Sequence, residues 1–146
     1  RYSNVEWKFP CIHLDNVTFI DTRFDNLTIT FKNEKLVEAK FTLSDFVSVA
    51  DNPFKDRATL LNEAKSKQNQ IANRFTQTFN SLGNAFCSKY GNPAVSSEGN
   101  AIWRDTNSNS ITLNVTLNNS QDELGVHFDG ILTVTYRTAT TNNDEF

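Results

Sequence analysis

The only two histidines of the chain both occur in His-x-Asp triplets, His13-Leu14-Asp15 and His127-Phe128-Asp129. On a β-strand, residues i and i+2 share one face. Two such strands side by side would present two imidazoles and two carboxylates, a set that can hold a divalent metal. We therefore name His13, Asp15, His127 and Asp129 as candidate metal ligands. The spacing is equally compatible with ordinary exposed strand and loop residues.

The two cysteines offer a second kind of chemistry. In an exported protein, a Cys11–Cys87 disulfide would close a loop of about 76 residues and restrict the unfolded chain. Two separate buried thiols are the alternative. A nucleophilic Cys87 would need an electropositive niche and an imidazole, for which Lys89 and His127 are the candidates. No flanking motif supports that third interpretation.

Several carboxylates fall at expected turns or loop ends, where a pair could act in glycoside hydrolysis. They are Asp21, Asp25, Asp105, Asp122, Glu123 and Asp129. Acidic residues also occupy such positions for turn formation and solubility, and no pair stands out. The chain has five glycines and none of the G-x-S-x-G, H-E-x-x-H or Cys-x-x-Cys motifs. We therefore predict no catalytic residue and no cofactor.

Length and composition favour a single globular domain over residues 1–146. The chain has 146 residues, 38% of them hydrophobic, which is enough to bury a core. Its net charge of −3 argues against a nucleic-acid partner. No apolar run is long enough for a transmembrane segment.

The chain begins at Arg1 and contains no methionine, so we expect a removed leader and export in bacteria. A lipid anchor upstream of Arg1 and excision from a longer protein are the alternatives. Four Asn-x-Ser/Thr triplets start at Asn16, Asn26, Asn114 and Asn118. These triplets are glycan acceptors in eukaryotic secreted proteins, or chance products of an Asn- and Thr-rich chain. We expect the polar tail over 138–146 to fray.

Alternating apolar and polar residues in the first third predict half-buried strands. One stretch contains Val5, Trp7 and Phe9, others cover 27–31 and 37–43, and Val17 indicates one more. The sequence Asn33-Glu34-Lys35 predicts a hairpin turn between the strands over 27–31 and 37–43.

The period then changes to steps of three and four, which predicts one apolar stripe on a long helix. Its members are Leu60, Ala64, Gln68, Ile71, Phe75, Phe79, Leu82 and Phe86. Asn52-Pro53 predicts the start, with Asp56 as an alternative cap, and Gly91 followed by Pro93 predicts the end. Gly83 inside the stripe indicates close packing or a bend, and the helix is either continuous or broken.

The remaining chain predicts further strands over 101–104, 111–117 and 132–136, a loop over 94–100, and a polar connection over 118–130 that contains at most a short strand at 126–128. Trp7, Trp103 and Tyr136 are expected in the core, with a ligand groove as the alternative. Strands, one helix and strands again favour an α+β fold with a mainly antiparallel sheet and one long or broken helix packed on one face.

One stretch carries a family resemblance. The residues Phe86-Cys87-Ser88-Lys89-Tyr90-Gly91-Asn92-Pro93, then Ile102-Trp103-Arg104-Asp105 and Ile111-Thr112-Leu113, resemble small secreted or lipid-anchored bacterial envelope domains. In those domains a helix ends in a Lys-Tyr-Gly-x-Pro turn, and a Trp-x-Asp strand and a strand meander follow. The resemblance implies that fold and compartment, and it brings no catalytic residues with it.

These observations favour a non-catalytic secreted or periplasmic module that binds a protein or polymer or plays a structural part. A small hydrolase using the loop carboxylates or the His-x-Asp pairs is the first alternative. A protein inhibitor that docks through an exposed sheet face is the second.

Overall fold

The structure, a computed structural model, describes residues 11–50, 52–122 and 125–139. One helix, α1, spans Arg57–Tyr90. The strands are β1 Cys11–Phe19, β2 Thr22–Lys32, β3 Lys35–Ala50, β4 Val95–Ser97, β5 Asn100–Arg104, β6 Ser110–Asp122 and β7 Gly125–Arg137. The predicted strand with Val5, Trp7 and Phe9 lies outside the described residues.

All seven strands belong to one antiparallel sheet with the order β1-β2-β3-β7-β6-β5-β4. The β3–β7 ladder joins the two parts of the chain that flank the helix, and it runs without a register shift from Glu38 opposite Arg137 to Ala50 opposite Gly125. The predicted α+β class with a mainly antiparallel sheet is therefore confirmed.

Two-residue turns close the first two hairpins. Ile20 and Asp21 connect β1 to β2, and Asn33 and Glu34 connect β2 to β3, all with positive φ. Positive φ at both central residues is the geometry of a type I′ turn, whose twist matches that of the flanking strands. The hairpin predicted at Asn33 is therefore confirmed.

Cross-strand register divides the sheet into two faces, because residues directly opposite each other point to the same side. The inner face carries Leu132 and Val134 of β7, their cross-strand neighbours Leu43, Phe41 and Leu113, and the residues that point to the same side of the sheet. The outer face is defined by Thr133 and Thr135 of β7 and the residues in step with those. Leu132 is fully buried, whereas Thr133 is half-buried.

Helix α1 is 34 residues long without a break. Asp56 caps its N-terminus, because the Thr59 backbone N–H donates to the Asp56 carboxylate over 2.8 Å. Hydrogen bonds from the backbone N–H of Thr59, the larger effect, and from its side chain lower the pKa of Asp56. The predicted start at Asn52-Pro53 is therefore wrong by one turn: the Asn52 side chain accepts from the Phe54 N–H ahead of the helix, whereas the Asp56 carboxylate accepts the N–H of the third helical residue.

The predicted C-terminus of α1 is confirmed at Gly91. This residue has φ +87°, and its N–H donates to the Cys87 carbonyl over 2.8 Å. Glycine adopts such a conformation without the steric cost of a Cβ. The indole Nε1 of Trp103 donates to the Gly91 carbonyl, which ties the helix end to β5.

The buried residues of α1 and of the inner face form one hydrophobic cluster. From the helix, Ala64, Ile71, Phe75, Leu82 and Phe86 are buried, which confirms most of the predicted stripe. Phe75 and Leu82 are both 0% exposed. Trp103 is 3% exposed, as expected for a core residue.

Two connections in the second half differ from the prediction. Residues 95–97 form the short edge strand β4 instead of a loop, and the predicted polar connection over 118–130 is wrong. Strand β6 continues to Asp122 and β7 begins at Gly125. The cause is that β6 beyond Leu117 carries only exposed polar side chains while keeping the ladder, so it lacks apolar alternation, whereas Val126 and Phe128 at the start of β7 pack in the core.

The described part of the tail is held by hydrogen bonds. The Thr138 N–H donates to the Val37 carbonyl over 3.0 Å, and the Ala139 N–H donates to Asn109 over 2.9 Å. The predicted fraying therefore does not begin at Thr138, and residues 140–146 lie outside the described residues.

Candidate functional site

A row of neutral polar side chains crosses the centre of the outer face. It runs over five strands through residues that stand opposite one another, namely Asn26, Thr42, Thr133, Asn114 and Asn100. All five are half-buried, and Asn114 donates to the Asn100 side-chain carbonyl over 3.1 Å. At about 4.8 Å per strand the row spans roughly 19 Å. We call it the polar row.

The rows on either side of the polar row are also rich in hydroxyl groups. One contains Thr28, Lys40, Thr135 and Thr112, and the other contains Ser44, Ile131 and Thr116. The ion pair between Arg137 and Glu38 lies beyond the first of these rows, with its atoms 2.6 Å apart. The centre of the outer face is thus built mainly from neutral hydrogen-bonding groups.

Exposed apolar side chains accompany these groups towards the start of β7. Ile131 is 38% exposed and Phe46 is 64% exposed. The Phe46 ring stacks on the imidazole of His127, with centroids 6.3 Å apart and planes 12° apart. A ligand on the outer face would therefore meet hydroxyl and amide groups beside one aromatic ring.

His127 forms a hydrogen-bonded chain with residues of two neighbouring strands. Its Nδ1 lies 2.9 Å from the Ser48 Oγ, and its Nε2 lies 3.0 Å from the Asp122 Oδ1. The His127 side chain is 21% exposed and that of Asp122 is 55% exposed. The structure therefore pairs His127 with Asp122 rather than with Asp129 of its own triplet.

His13 has a more open environment on the edge strand β1. Its Nδ1 lies 3.0 Å from the Thr28 Oγ1, and its Nε2 lies 3.5 Å from the Asp15 carboxylate. The side chains of His13 and Asp15 are 59% and 73% exposed. In the first triplet, His13 and Asp15 therefore share one exposed strand face, as their two-residue spacing predicts.

The metal site predicted from both triplets is not assembled. Strands β2 and β3 separate β1 from β7. In addition, the row of His13 meets β7 at Thr135, which is roughly 27 Å from His127 along the strand at about 3.4 Å per residue. Across residues 11–50, 52–122 and 125–139, no three His, Cys, Asp or Glu side chains are grouped as a metal ion requires.

The structure does not bring the two cysteines together either. Both are free. Cys11 is exposed, with its Sγ 3.9 Å from the Thr30 Oγ1, and it points to the outer face. Cys87 packs against the hydrophobic cluster. The two thiols are therefore unbonded here, one on the outer face and the other against the hydrophobic cluster, and a Cys11–Cys87 disulfide stays a prediction.

A base for Cys87 is not supplied by His127. Cys87 lies in the last turn of α1. The start of β7, which carries His127, lies at the opposite end of the helix, because Arg57, Leu60, Gly125 and Val126 line one cavity. The two side chains therefore belong to opposite ends of the molecule.

The candidate carboxylates are dispersed. Asp21 lies in the first hairpin turn, and Asp25 accepts hydrogen bonds from the N–H and the hydroxyl of Ser44. Asp129 lies within β7 on the outer face, and Glu123 lies outside the described residues. Hydrogen bonds from Asn109, the side-chain amide first, lower the pKa of Asp105, which organises the turn before β6. Asp21, Asp25 and Asp105 thus have the structural roles expected of turn and strand-end residues, Asp129 lies inside a strand, and no facing pair emerges among those carboxylates that the structure describes.

Sequence reasoning missed Ser48 altogether. It lies 79 positions from His127, and only the β3–β7 register brings the two side chains together. Asp122 is five residues from His127 and is among the carboxylates that the sequence places in a loop. A hairpin prediction over 118–130 would have indicated its approach to His127.

No helix in the described ranges combines the length and the apolar character that crossing a membrane requires. No protein-family model, curated protein or solved structure matches this chain. The geometry of the outer face and of the His127 chain therefore supplies the argument about function.

Proposed function

We propose that this protein is a secreted or cell-envelope module of bacteria that acts by binding a polymer. In this proposal α1 covers the inner face of the sheet and leaves the outer face open as the binding surface. The polymer is a neutral polysaccharide, laid across the strands along the polar row.

The polar row is the observation that carries the proposal. Hydroxyl and amide side chains both donate and accept hydrogen bonds, as sugar hydroxyls do. Repetition of such groups at each strand, over roughly 19 Å, suits a chain of repeating sugar units better than a single small molecule. Phe46 adds an exposed aromatic ring at the margin.

The charge distribution favours a neutral polymer over an anionic one. Binding of a phosphate-bearing chain depends on clustered Lys and Arg. On the outer face Arg137 is paired with Glu38, and Arg104 lies in the same row as Arg137. Lys40 stands alone, without an ion pair to any described residue, in the row next to the polar row, and the polar row itself carries no ionisable side chain. A neutral ligand therefore fits without leaving a charge buried.

Co-sedimentation with three insoluble neutral polysaccharides, cellulose, chitin and the β-1,3-glucan curdlan, tests the proposal. The double variant Thr42→Val/Thr133→Val removes two hydroxyls from the polar row and keeps the shape of the side chains. We expect it to bind at least about tenfold more weakly to the polymer that retains the wild type, as lost hydrogen bonds to a ligand imply. Thr76→Val, at an exposed position on α1, is the matched control and should bind like the wild type.

Two results would reject this function. One is that none of the three polymers retains the wild-type protein. The other is that the double variant and Thr76→Val bind equally well, which would place the binding surface elsewhere.

A further inference from the structure

Ser48, His127 and Asp122 meet at the end of the sheet where β3, β7 and β6 run side by side. The two hydrogen bonds of the chain, 2.9 and 3.0 Å long, use both nitrogens of the imidazole. The ladders hold the three residues in place, because Ser48 stands directly opposite His127 and Asp122 stands opposite Gly125. Stacking on Phe46 further fixes the plane of the ring.

The partners of the ring determine where its proton lies. An ionised carboxylate only accepts hydrogen bonds, so the Nε2 facing Asp122 must carry the hydrogen. In the neutral imidazole the other nitrogen, Nδ1, is then an acceptor, and the Ser48 hydroxyl donates to it. A hydroxyl that donates to an imidazole held by a carboxylate is the arrangement of a base-activated nucleophile.

The edge of β3 next to Ser48 supplies a donor for a developing oxyanion. The β2–β3 ladder stops at Thr42, so the edge beyond it is open. The N–H groups of Ser44 and Phe46 point to that edge, where they donate to the carboxylates of Asp25 and Asp45. By the two-residue alternation of a strand, the N–H of Ser48 points the same way.

A shallow cavity opens at this same edge. It has a volume of about 310 Å³, and Ser48, Asn52, Lys55 and Lys67 are among the residues that line it. Lys55 is paired with Glu63 over 2.7 Å, whereas Lys67 makes no ion pair with any described residue. Ser48 therefore borders a cavity whose lining also includes a lysine and an amide side chain.

We infer that Ser48 is the nucleophile of an acyl-transfer site that accepts carboxylic esters, with His127 as its general base and Asp122 as the positioning residue. This inference is independent of the proposed polymer binding. It gives His127 a catalytic role, and the carboxylate that positions His127 is Asp122 rather than Asp129 of its own His-x-Asp triplet.

The reaction balances without any oxidant or additional cofactor. The Ser48 Oγ bonds to the ester carbon while its proton moves to the His127 Nδ1. The ester C–O bond then breaks, and the departing oxygen takes that proton and leaves as the alcohol. Water adds to the acyl-serine through the same base, and cleavage of the bond to Oγ releases the acid and restores the hydroxyl. Ester and water thus yield acid and alcohol.

Covalent labelling with an alkyl fluorophosphonate tests the inference, because serine displaces fluoride and the adduct is stable. The rate is followed by intact mass, and the labelled residue is identified by peptide mapping. We expect one label on Ser48, none on Ser48→Ala, and a rate about 100-fold lower for His127→Gln, as the loss of a general base implies.

Ser44 provides the matched control. It is exposed on the same strand and face, and its hydroxyl lies 3.2 Å from the Asp25 carboxylate instead of an imidazole. Ser44→Ala should be labelled like the wild type. For Asp122→Asn we expect labelling slower by about tenfold or more, partial recovery in Asp122→Glu, and loss of the single Nε2–H tautomer in the ¹⁵N spectrum of His127.

Labelling of Ser48 no faster than that of Ser44 would overturn the inference. An unchanged rate in His127→Gln would overturn it as well, since the hydroxyl would then be reacting without its base. Hydrolysis of 4-nitrophenyl acetate that persists in Ser48→Ala would assign the turnover to another group. Polymer co-sedimentation does not depend on Ser48, so the two proposals fail separately.

Discussion

The inner and outer faces of this sheet are built from alternate residues of the same strands and have opposite chemistry. Leu132 and Val134 of β7 are 0% and 2% exposed, while Thr133 and Thr135 between and beside them are half-buried among neutral polar groups. Burial of apolar area dominates folding stability, whereas hydrogen-bonding groups that water already satisfies add little. Stability and recognition can therefore belong to separate faces of one strand and be disturbed independently.

Truncating an aromatic ring should show the largest contrast between the two faces. Phe75 is 0% exposed in the cluster, and Phe46 is 64% exposed on the outer face. We expect Phe75→Ala to lower the free energy of unfolding by about 4 kcal/mol, through lost burial and an unfilled cavity. Phe46→Ala should change it by no more than about 0.5 kcal/mol. Urea denaturation of both variants measures this, and equal losses would mean that the two faces do not differ in their contribution to stability.

Adding one methyl group tests how tightly the inner face is packed. A Cβ at Gly130 would lie 3.0 Å from Leu117 and 3.2 Å from the Phe75 ring. We expect Gly130→Ala to destabilise the protein by about 1–2 kcal/mol, because the ring must shift. At Gly83 of α1 the nearest atom is 3.9 Å away, so Gly83→Ala should instead stabilise by about 0.5–1 kcal/mol. Thermal melting measures both changes: Gly130→Ala should lower the melting temperature and Gly83→Ala should raise it. Shifts of the same sign in the two variants would contradict this difference in packing.

The cap of α1 contributes a smaller effect that depends on pH. The pKa of Asp56 is lowered in the folded protein, so its contribution is fully present above the ordinary carboxyl pKa and disappears as the pH falls through the folded value. Asp56→Ala should therefore lower the urea midpoint at neutral pH and lose this difference in acid. Asp56→Asn should stay close to the wild type at neutral pH, since asparagine also caps helices. A difference that persists in acid would exclude the carboxylate as the cause.

Thr133→Val should have the smallest effect on stability. The side chain keeps its shape on a strand, and its hydroxyl faces outward, so we expect a change within about 0.5 kcal/mol by urea denaturation. A loss above about 1 kcal/mol would mean that the polar row holds the fold together. The polar row would then serve folding stability and not the binding of a ligand.

Local pattern predicts the elements of this fold well where one face of an element is buried. The helical stripe ending at Phe86, the stop at Gly91 and the hairpin at Asn33 all follow from spacing and turn chemistry. Strand ends are harder, because Asn118 to Asp122 keep the ladder without contributing to the core and therefore show no apolar alternation. The cap at Asp56 is one of two candidates that the sequence cannot separate.

The two histidines show why the candidate site resists prediction. Each begins a triplet of the same His-x-Asp pattern. His13 contacts the aspartate of its own triplet, Asp15, whereas His127 contacts Ser48 and Asp122. Spacing sets which face a side chain occupies, but register between distant strands sets its partners. The β3–β7 pairing, which brings Ser48 to His127, has no local signal in either strand.

Thiol accessibility along β7 measures the separation of the two faces at neighbouring positions. Leu132→Cys and Thr133→Cys are made in a background with Cys11→Ser and Cys87→Ser, and native circular dichroism confirms that each variant folds. Alkylation by iodoacetamide should be rapid at position 133 and slower by orders of magnitude at position 132, with equal rates in urea. Similar native rates at the two positions would be incompatible with a sheet that has one covered and one open face.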